Sequence, residues 1–257
     1  MAVPEPIEAL ACRLGLYSPA RDAFDRFLRP ERFRARERFR QFFAQFVTPG
    51  SKVFDVGAHL GRWTDRFVEL GAAVVAVEPI PEFARSIARR HGSRVAVERA
   101  ALGAARGHAT LQIGRLTEHS SLAPRWIEFV RSEGGERWTR EIVVDVLTLD
   151  DLIDRHGVPD FTKIDVEGYE PEVFRGLSRP LPLLSFEAQT RAPSLARECI
   201  DRLSELGQYE FNVVRGIDLR LALDSWVGGR EALEIVEAID PRSTGTADVF
   251  ARLTVAA

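Results

Sequence analysis

Four acidic residues stand at or just beyond the ends of buried-looking apolar runs. Asp55 lies in Val53–Val56, Glu78 follows Ala73–Val77, Asp165 lies near the end of Asp160–Val166, and Glu187 follows Leu181–Phe186. A carboxylate at the edge of a buried strand is costly unless it is hydrogen-bonded or used. In open α/β sheets, ligands bind outside the carboxyl ends of the strands. Four acids at four such ends therefore point to a site.

The stretch Asp55-Val-Gly57-Ala-His-Leu-Gly61 is the most informative part of it. An apolar run ends on an acid, two glycines follow four positions apart, and an amphipathic segment begins at Trp63. That order predicts strand, tight turn and helix, in which glycine lets the backbone approach a ligand and the helix N-terminus offers unpaired N–H groups. Glu78 lies 21 positions after Gly57, the spacing at which an acid at the end of the second strand accepts hydrogen bonds from ribose hydroxyls. A dinucleotide fingerprint has three glycines, G-x-G-x-x-G, facing a pyrophosphate. Here the third glycine is missing and a carboxylate precedes the first. That opposes a pyrophosphate and suits a ligand carrying an ammonium and a sulfonium, such as S-adenosylmethionine. A nicotinamide-dependent oxidoreductase is disfavoured on the same grounds.

The elements that must hold these residues follow from the hydrophobic pattern. Strands at 53–56, 73–77 and 94–97 alternate with helices at 63–70 and 81–90, a βαβαβ order that means parallel strands and right-handed crossovers. Gly71 is placed to end the first of these helices. Further on, Ala109–Ile113 and Glu141–Leu147 read as strands, Leu149–Arg155 as a helix capped by Thr148, Pro171–Leu177 and 194–206 as helices, and Tyr209–Val214 and Asp248–Leu253 as the last strands. Residues 118–122 and 215–247 read as loops. Before all this, residues 7–47 look helical, with Phe24, Phe27 and Leu28, then Phe39, Phe42, Phe43 and Phe46, at helical spacing and a break at Arg29-Pro30. The expectation is an N-terminal helical extension over 1–47 and one α/β domain over 48–257.

Composition narrows the classes. The chain has 257 residues, is 45% hydrophobic and 28% charged, and carries a net charge of −3, which fits a globule and not a nucleic-acid binder. Two cysteines, Cys12 and Cys199, show no metal or redox spacing, and no apolar run reaches ~20 residues, so a cytoplasmic protein without a membrane span is expected. Of 35 basic residues, only Lys52 and Lys163 are lysine.

The motifs Phe54-Asp-Val-Gly-Ala-His-Leu-Gly61, Val77-Glu-Pro79, Ala101-Leu-Gly103, Ser120-Ser-Leu122, Thr148-Leu-Asp-Asp-Leu152 and Lys163-Ile-Asp-Val-Glu-Gly-Tyr-Glu170 come in the order that resembles FkbM-type methyltransferases, over roughly residues 48–190. The resemblance implies a class I methyltransferase fold: a Rossmann-like, seven-stranded, mostly parallel sheet with helices on both faces and an antiparallel last strand. It also implies methyl transfer from S-adenosylmethionine, usually to a hydroxyl of a sugar, glycan or secondary metabolite. By that resemblance Asp55, Gly57 and Gly61, with Ala58 and His59 between them, look like the methionine-side loop. Glu78, followed by Pro79, looks like the ribose acid, and Ala101 falls near the adenine. The family usually has Asn where this chain has His59.

A hydroxyl is a poor nucleophile, so a base or a metal should assist. Residues two apart on a strand share a face, so Asp165 and Glu167 converge if the strand continues that far. Either one carboxylate among Asp165, Glu167 and Glu187 is the base, or Asp165 and Glu187 ligate Mg²⁺. Asp165 also adjoins the cofactor side. Lys163 points the same way as Asp165 and is placed to ion-pair with Asp165 or Glu187. His119, beside Ser120-Ser121, is a candidate to reach substrate; His91 and His156, at helix ends, are expected to be structural.

Overall fold

The computed structural model describes residues 30–133, 137–216 and 218–254. The chain divides into two compact units between Gln45 and Phe46. In the first, α1 (Pro30–Phe43) starts on a proline, whose fixed φ and missing N–H suit a helix start. Phe39 stacks on Phe43 at 4.4 Å, as their four-residue spacing predicts. The expected helical stretch before Pro30, with Phe24, Phe27, Leu28 and Cys12, lies outside the described residues.

The second unit begins with β1 (Lys52–Val56), α2 (Arg62–Glu69), β2 (Ala73–Val77), α3 (Pro81–His91) and β3 (Val95–Glu98). It continues with β4 (Ala101–Leu102), β5 (Gly107–Gly114), α4 (Pro124–Ser132), β6 (Trp138–Leu147), α5 (Leu149–His156), β7 (Phe161–Ile164) and α6 (Glu170–Arg175). It ends with β8 (Leu183–Gln189), α7 (Pro193–Leu206), β9 (Tyr209–Arg215), α8 (Gly229–Glu237) and β10 (Thr246–Leu253). Strands β1, β2 and β7 are covered on both faces, so that even Asp55, Thr162 and Lys163 on them are buried. Phe54, Ile164, Phe174 and Phe186 lie wholly buried in the core they share with α5 and α6.

The main sheet has seven strands in the order β3-β2-β1-β7-β8-β10-β9, parallel except for β10, which is antiparallel to both neighbours. Strand order reverses between β1 and β7, and such a switch point opens a crevice at the carboxyl ends of the strands. Thr148 caps α5 as expected, its Oγ1 accepting from the Asp151 N–H at 3.1 Å while Asp151 accepts from the Thr148 N–H at 2.9 Å. Gly71 follows α2 with φ 85°, in keeping with its expected role as a helix stop.

Three expectations need correction. Residues 100–147 build a second sheet, β4-β6-β5, with β5 and β6 as an antiparallel pair. The stretch 215–247, expected as loop, contains α8, whose Ala232, Leu233 and Val236 are buried at helical spacing. Strand β7 stops at Ile164 and β8 runs on to Gln189, so Asp165 and Glu167 share no strand face, and Glu187 sits inside its strand and not beyond it.

Candidate functional site

Gly57 is the fulcrum of the switch point. It has φ 81°, and a Cβ built on it would lie 1.8 Å from the carbonyl oxygen of Asp165. Two backbone segments, after β1 and after β7, therefore touch where a side chain would separate them. The turn that follows spends its amides internally. Gly57 and Ala58 N–H both donate to the Val77 carbonyl at 3.0 Å, Gly61 N–H to the Ala58 carbonyl at 2.7 Å, and His59 N–H to Glu78 Oε2 at 2.7 Å. Four N–H groups that would face a pyrophosphate are thus already engaged.

Around this turn lies a cleft of about 570 Å³, lined among others by Val56, Gly57, His59, Glu78, Pro79, Ala101, Asp165, Glu167 and Tyr169. A segment after β5, including Thr117, Glu118, Ser120 and Leu122, closes another side. Glu78 is buried, with Oε1 accepting from the Ile80 N–H at 2.6 Å and Oε2 from His59. Burial outweighs these bonds and pushes its carboxyl up to about 8. Asp55 is fully buried and does not line the cleft; Thr64 Oγ1 donates to its Oδ2 at 2.6 Å, and its Oδ1 has no hydrogen-bond partner. Burial raises the Asp55 carboxyl as well, against the pull of Lys163.

His59 has φ 50°, its ring packs edge-on against Phe83 at 4.6 Å, and its Nε2 lies 2.9 Å from Thr117 Oγ1. Burial holds its pKa below the ordinary value. Gly61, with φ 76°, faces away from the cleft: a Cβ there would meet Arg90 and Ile87 of α3. Ala58 is buried outside the cleft lining.

The acids after β7 do converge, by a route the strand pattern does not contain. Glu167 adopts φ 54° and is followed by Gly168 at φ 85°, so the chain doubles back and brings a carboxylate oxygen of Glu167 within 4.8 Å of those of Asp165 and Glu187. A non-glycine residue in this region costs about 1–3 kcal/mol and is held by its surroundings. Here Ser121 Oγ donates to the Glu167 carbonyl at 2.7 Å, and Glu170 accepts from the N–H of Val166 at 3.0 Å and of Gly168 at 3.4 Å. Glu167 and Glu187 are pushed well above the usual carboxylate range, first by burial and then by Asp165.

Lys163 ion-pairs with the first of these acids, its Nζ lying 2.6 Å from Asp165 Oδ2. Its ammonium lies 4.9 Å from the Trp63 ring centroid, and the charges of Asp165, Asp248 and Asp55 keep it protonated despite full burial. The expectation of a lysine paired with Asp165 matches this geometry. Gln189 Nε2 donates to Glu187 Oε2 at 2.7 Å and, more weakly, to Glu167 Oε2 at 3.5 Å. Gln189, Thr117 and Asp248 had no sequence signal, because each reaches the site only through strand pairing or loop closure. His119 does not line the cleft; its carbonyl accepts from Trp138 Nε1 at 3.2 Å. His91 pairs with Asp65 at 2.7 Å and His156 with Glu98 at 2.8 Å, both structural contacts as expected.

The raised acids have a sign that can be measured. Glu78 at about 8, Glu170 at about 7 and Asp248 at about 6 hold protons in the folded state that the unfolded chain releases above its ordinary carboxylate pKa. The native state binds more protons in that window, so stability falls as pH rises from about 4.5 towards 8, by at most roughly 1.4 kcal/mol per pH unit for each such group. Denaturant titrations of the apo protein at pH 5.5, 6.5, 7.5 and 8.5 are expected to show this decline, and Glu78→Gln is expected to flatten its upper part. A flat wild-type profile contradicts it.

A parallel sheet with one reversed strand, a switch-point crevice, an acid near the end of β1 and another just after β2 define a class I methyltransferase fold. The chain belongs to the FkbM methyltransferase family: the model of the methyltransferase FkbM domain matches residues 55–214. Its cofactor is S-adenosylmethionine. Among solved structures it is similar to a TehB-like SAM-dependent methyltransferase from Corynebacterium glutamicum (9% identity, 92% of this chain and 100% of that one, TM-score 0.46). It is also similar to the precorrin-6y C5,15-methyltransferase of Geobacter metallireducens (12%, 86% and 85%, TM-score 0.40) and to the fibrillarin pre-rRNA processing protein of Methanococcus jannaschii (12%, 81% and 68%, TM-score 0.41). No curated protein matches the sequence. No helix among the described residues is long and apolar enough to cross a membrane.

Proposed function

We propose that the protein transfers a methyl group from S-adenosylmethionine to a hydroxyl of a small molecule or glycan, with Glu167 as the base. The observation that carries this is a half-buried carboxylate cluster whose Asp165 and Glu167 line the same cleft as Gly57 and Glu78. The cofactor, when bound, supplies an electrophilic methyl group. The chain's own residues then have three tasks.

Gly57 and His59 form the floor of the cofactor side, and Glu78 has lone pairs left for ribose hydroxyls beyond the two amides it already accepts. Pro79 and Ala101 border the same side of the cleft. Asp55, buried outside the cleft lining, ties β1 to α2 through Thr64 behind the turn and does not itself touch the ligand. On the acceptor side, the Lys163 ammonium sits 2.6 Å from Asp165 Oδ2 and fixes that carboxylate's position. Glu167 lines the cleft, and burial and then Asp165 raise its pKa, which makes its carboxylate a stronger proton acceptor. It takes the proton of the acceptor hydroxyl, with Glu187 and Gln189 behind it.

Isothermal calorimetry with S-adenosylhomocysteine tests the cofactor half; no binding at millimolar ligand refutes it. For the acceptor half, Glu167→Gln is expected to lower turnover about 10²–10⁴-fold while leaving that binding within a few-fold.

A second arrangement is favoured by one observation: Asp165, Glu167 and Glu187 each offer an oxygen within 4.8 Å of the others. Three carboxylate oxygens suit a hard cation such as Mg²⁺, which would polarise the acceptor oxygen directly. Turnover that vanishes on chelation and returns with Mg²⁺ selects this arrangement; turnover indifferent to chelation selects the base.

A further inference from the structure

We propose that His59 and Thr117 form a tether that holds the Thr117–Leu122 segment across the cleft and so retains the cofactor, which makes them positioning residues. The bond between His59 Nε2 and Thr117 Oγ1, at 2.9 Å, joins the glycine turn to a segment 58 residues further along the chain. Each end is anchored independently. His59 is fixed by its N–H on Glu78, by the edge of its ring against Phe83 and by its left-handed backbone. Thr117 begins a 3-10 turn, Thr117–His119, whose carbonyl end is closed by Ser120 Oγ donating to the Thr117 carbonyl at 2.7 Å. At the far end of the segment, Ser121 bridges to Gln112 on β5 and donates to the Glu167 carbonyl.

The segment therefore spans from the residue that holds Glu78 to the residue that carries the proposed base. Thr117, Glu118, Ser120 and Leu122 form the cleft wall it provides. A cofactor lying between Glu78 and this wall leaves only when the wall moves, and the wall moves when the His59 bond opens. The residue type matters. Asparagine tolerates the left-handed backbone as well as histidine does, but its amide stops short of the ring position that meets Thr117.

Two variants remove the same bond from opposite ends. Thr117→Val keeps the side-chain shape and loses the hydroxyl; His59→Asn keeps the backbone preference and loses the reach. Hydrogen exchange of the apo protein reads the tether itself. Amides 117–122 in Thr117→Val are expected to exchange roughly 2–10-fold faster than in the wild type, the worth of one hydrogen bond. Calorimetry with S-adenosylhomocysteine reads the consequence: each variant is expected to bind roughly 2–10-fold more weakly, and the double variant no more weakly than the worse single one. Unchanged exchange in Thr117→Val, unchanged affinity in both variants, or effects that add in the double variant would each overturn the tether. Failure of the wild type to bind S-adenosylhomocysteine would instead strike the cofactor assignment, and the exchange comparison would still decide whether the tether exists.

Discussion

Gly57→Ala is expected to destabilise the protein by about 2–5 kcal/mol and to abolish measurable S-adenosylhomocysteine binding. Two costs combine. An L-residue at φ 81° pays about 1–2 kcal/mol for its backbone conformation alone. The added Cβ would also sit 1.8 Å from the Asp165 carbonyl oxygen, which is backbone and cannot swing aside. Relief requires the turns after β1 and β7 to part, at an overpacking cost of about 1–3 kcal/mol. That displacement moves the two walls between which the cofactor must lie. Gly50→Ala separates the contributions, because Gly50 has φ 90° and open space around its Cβ position. It should lose only the backbone term and keep full affinity. Urea denaturation and calorimetry on both variants decide the matter. A Gly57→Ala protein no less stable than Gly50→Ala would show that the close approach is not a constraint.

Lys163→Met is expected to lose about 3–5 kcal/mol, the cost of removing one partner from a buried charge pair. Lys163 is 2% exposed and is the counter-ion of Asp165, with Asp55 and Asp248 also within its electrostatic reach. Methionine fills the volume and can lie against Trp63, so packing loss is small and the effect isolates the charge. Three strands contribute to the cluster: β1 brings Asp55, β7 brings Lys163, and β10 brings Asp248. Without the ammonium, the carboxylates repel at the centre of the sheet. Double substitution with Asp165→Asn should recover part of the loss, since it removes the anion left behind. A loss under 1 kcal/mol for Lys163→Met, or no recovery in the double variant, would show that the cluster is not held by this charge.

The sheet was legible because short runs rich in Val, Ile, Phe and Ala recur between helical segments. Val53–Val56, Ala73–Val77 and Phe161–Ile164 have no other home than the middle of an α/β sandwich, and their parallel order follows from the helices between them. The acids at their ends were legible for the converse reason: a carboxylate in such a place demands an account. What could not be read was anything decided by a turn or by a partner strand. Asp165 and Glu167 approach because Glu167 takes a left-handed conformation that ordinary propensities discourage, not because they alternate on a strand. Glu187 looked like a strand end because β-propensity falls at Glu187-Ala-Gln189, yet pairing with β10 carries β8 past it. The α8 helix sits among glycine and proline punctuation, where its three buried positions were masked by the surrounding loop composition. Gln189 and Thr117 are single polar residues whose positions relative to the cleft depend on chain segments far apart in sequence.

The place of β10 in the sheet has a consequence in time. Strand β9 reaches the sheet only through β10, which pairs with β8 on one side and with β9 on the other. Residues 209–215 are made first and bridge locally to Leu221 and Val227, but they cannot join the main sheet until residues 246–253 are available. During synthesis β8 is left as a bare edge while the intervening segment emerges, and a bare edge is open to mispairing with other chains. Assembly of this half of the sheet is forced to run backwards along the chain, with the later strand inserting before the earlier one can be secured. The register that sets Glu187 across from Asp248 thus waits for β10, whereas the glycine turn between β1 and β2 is built from neighbouring residues.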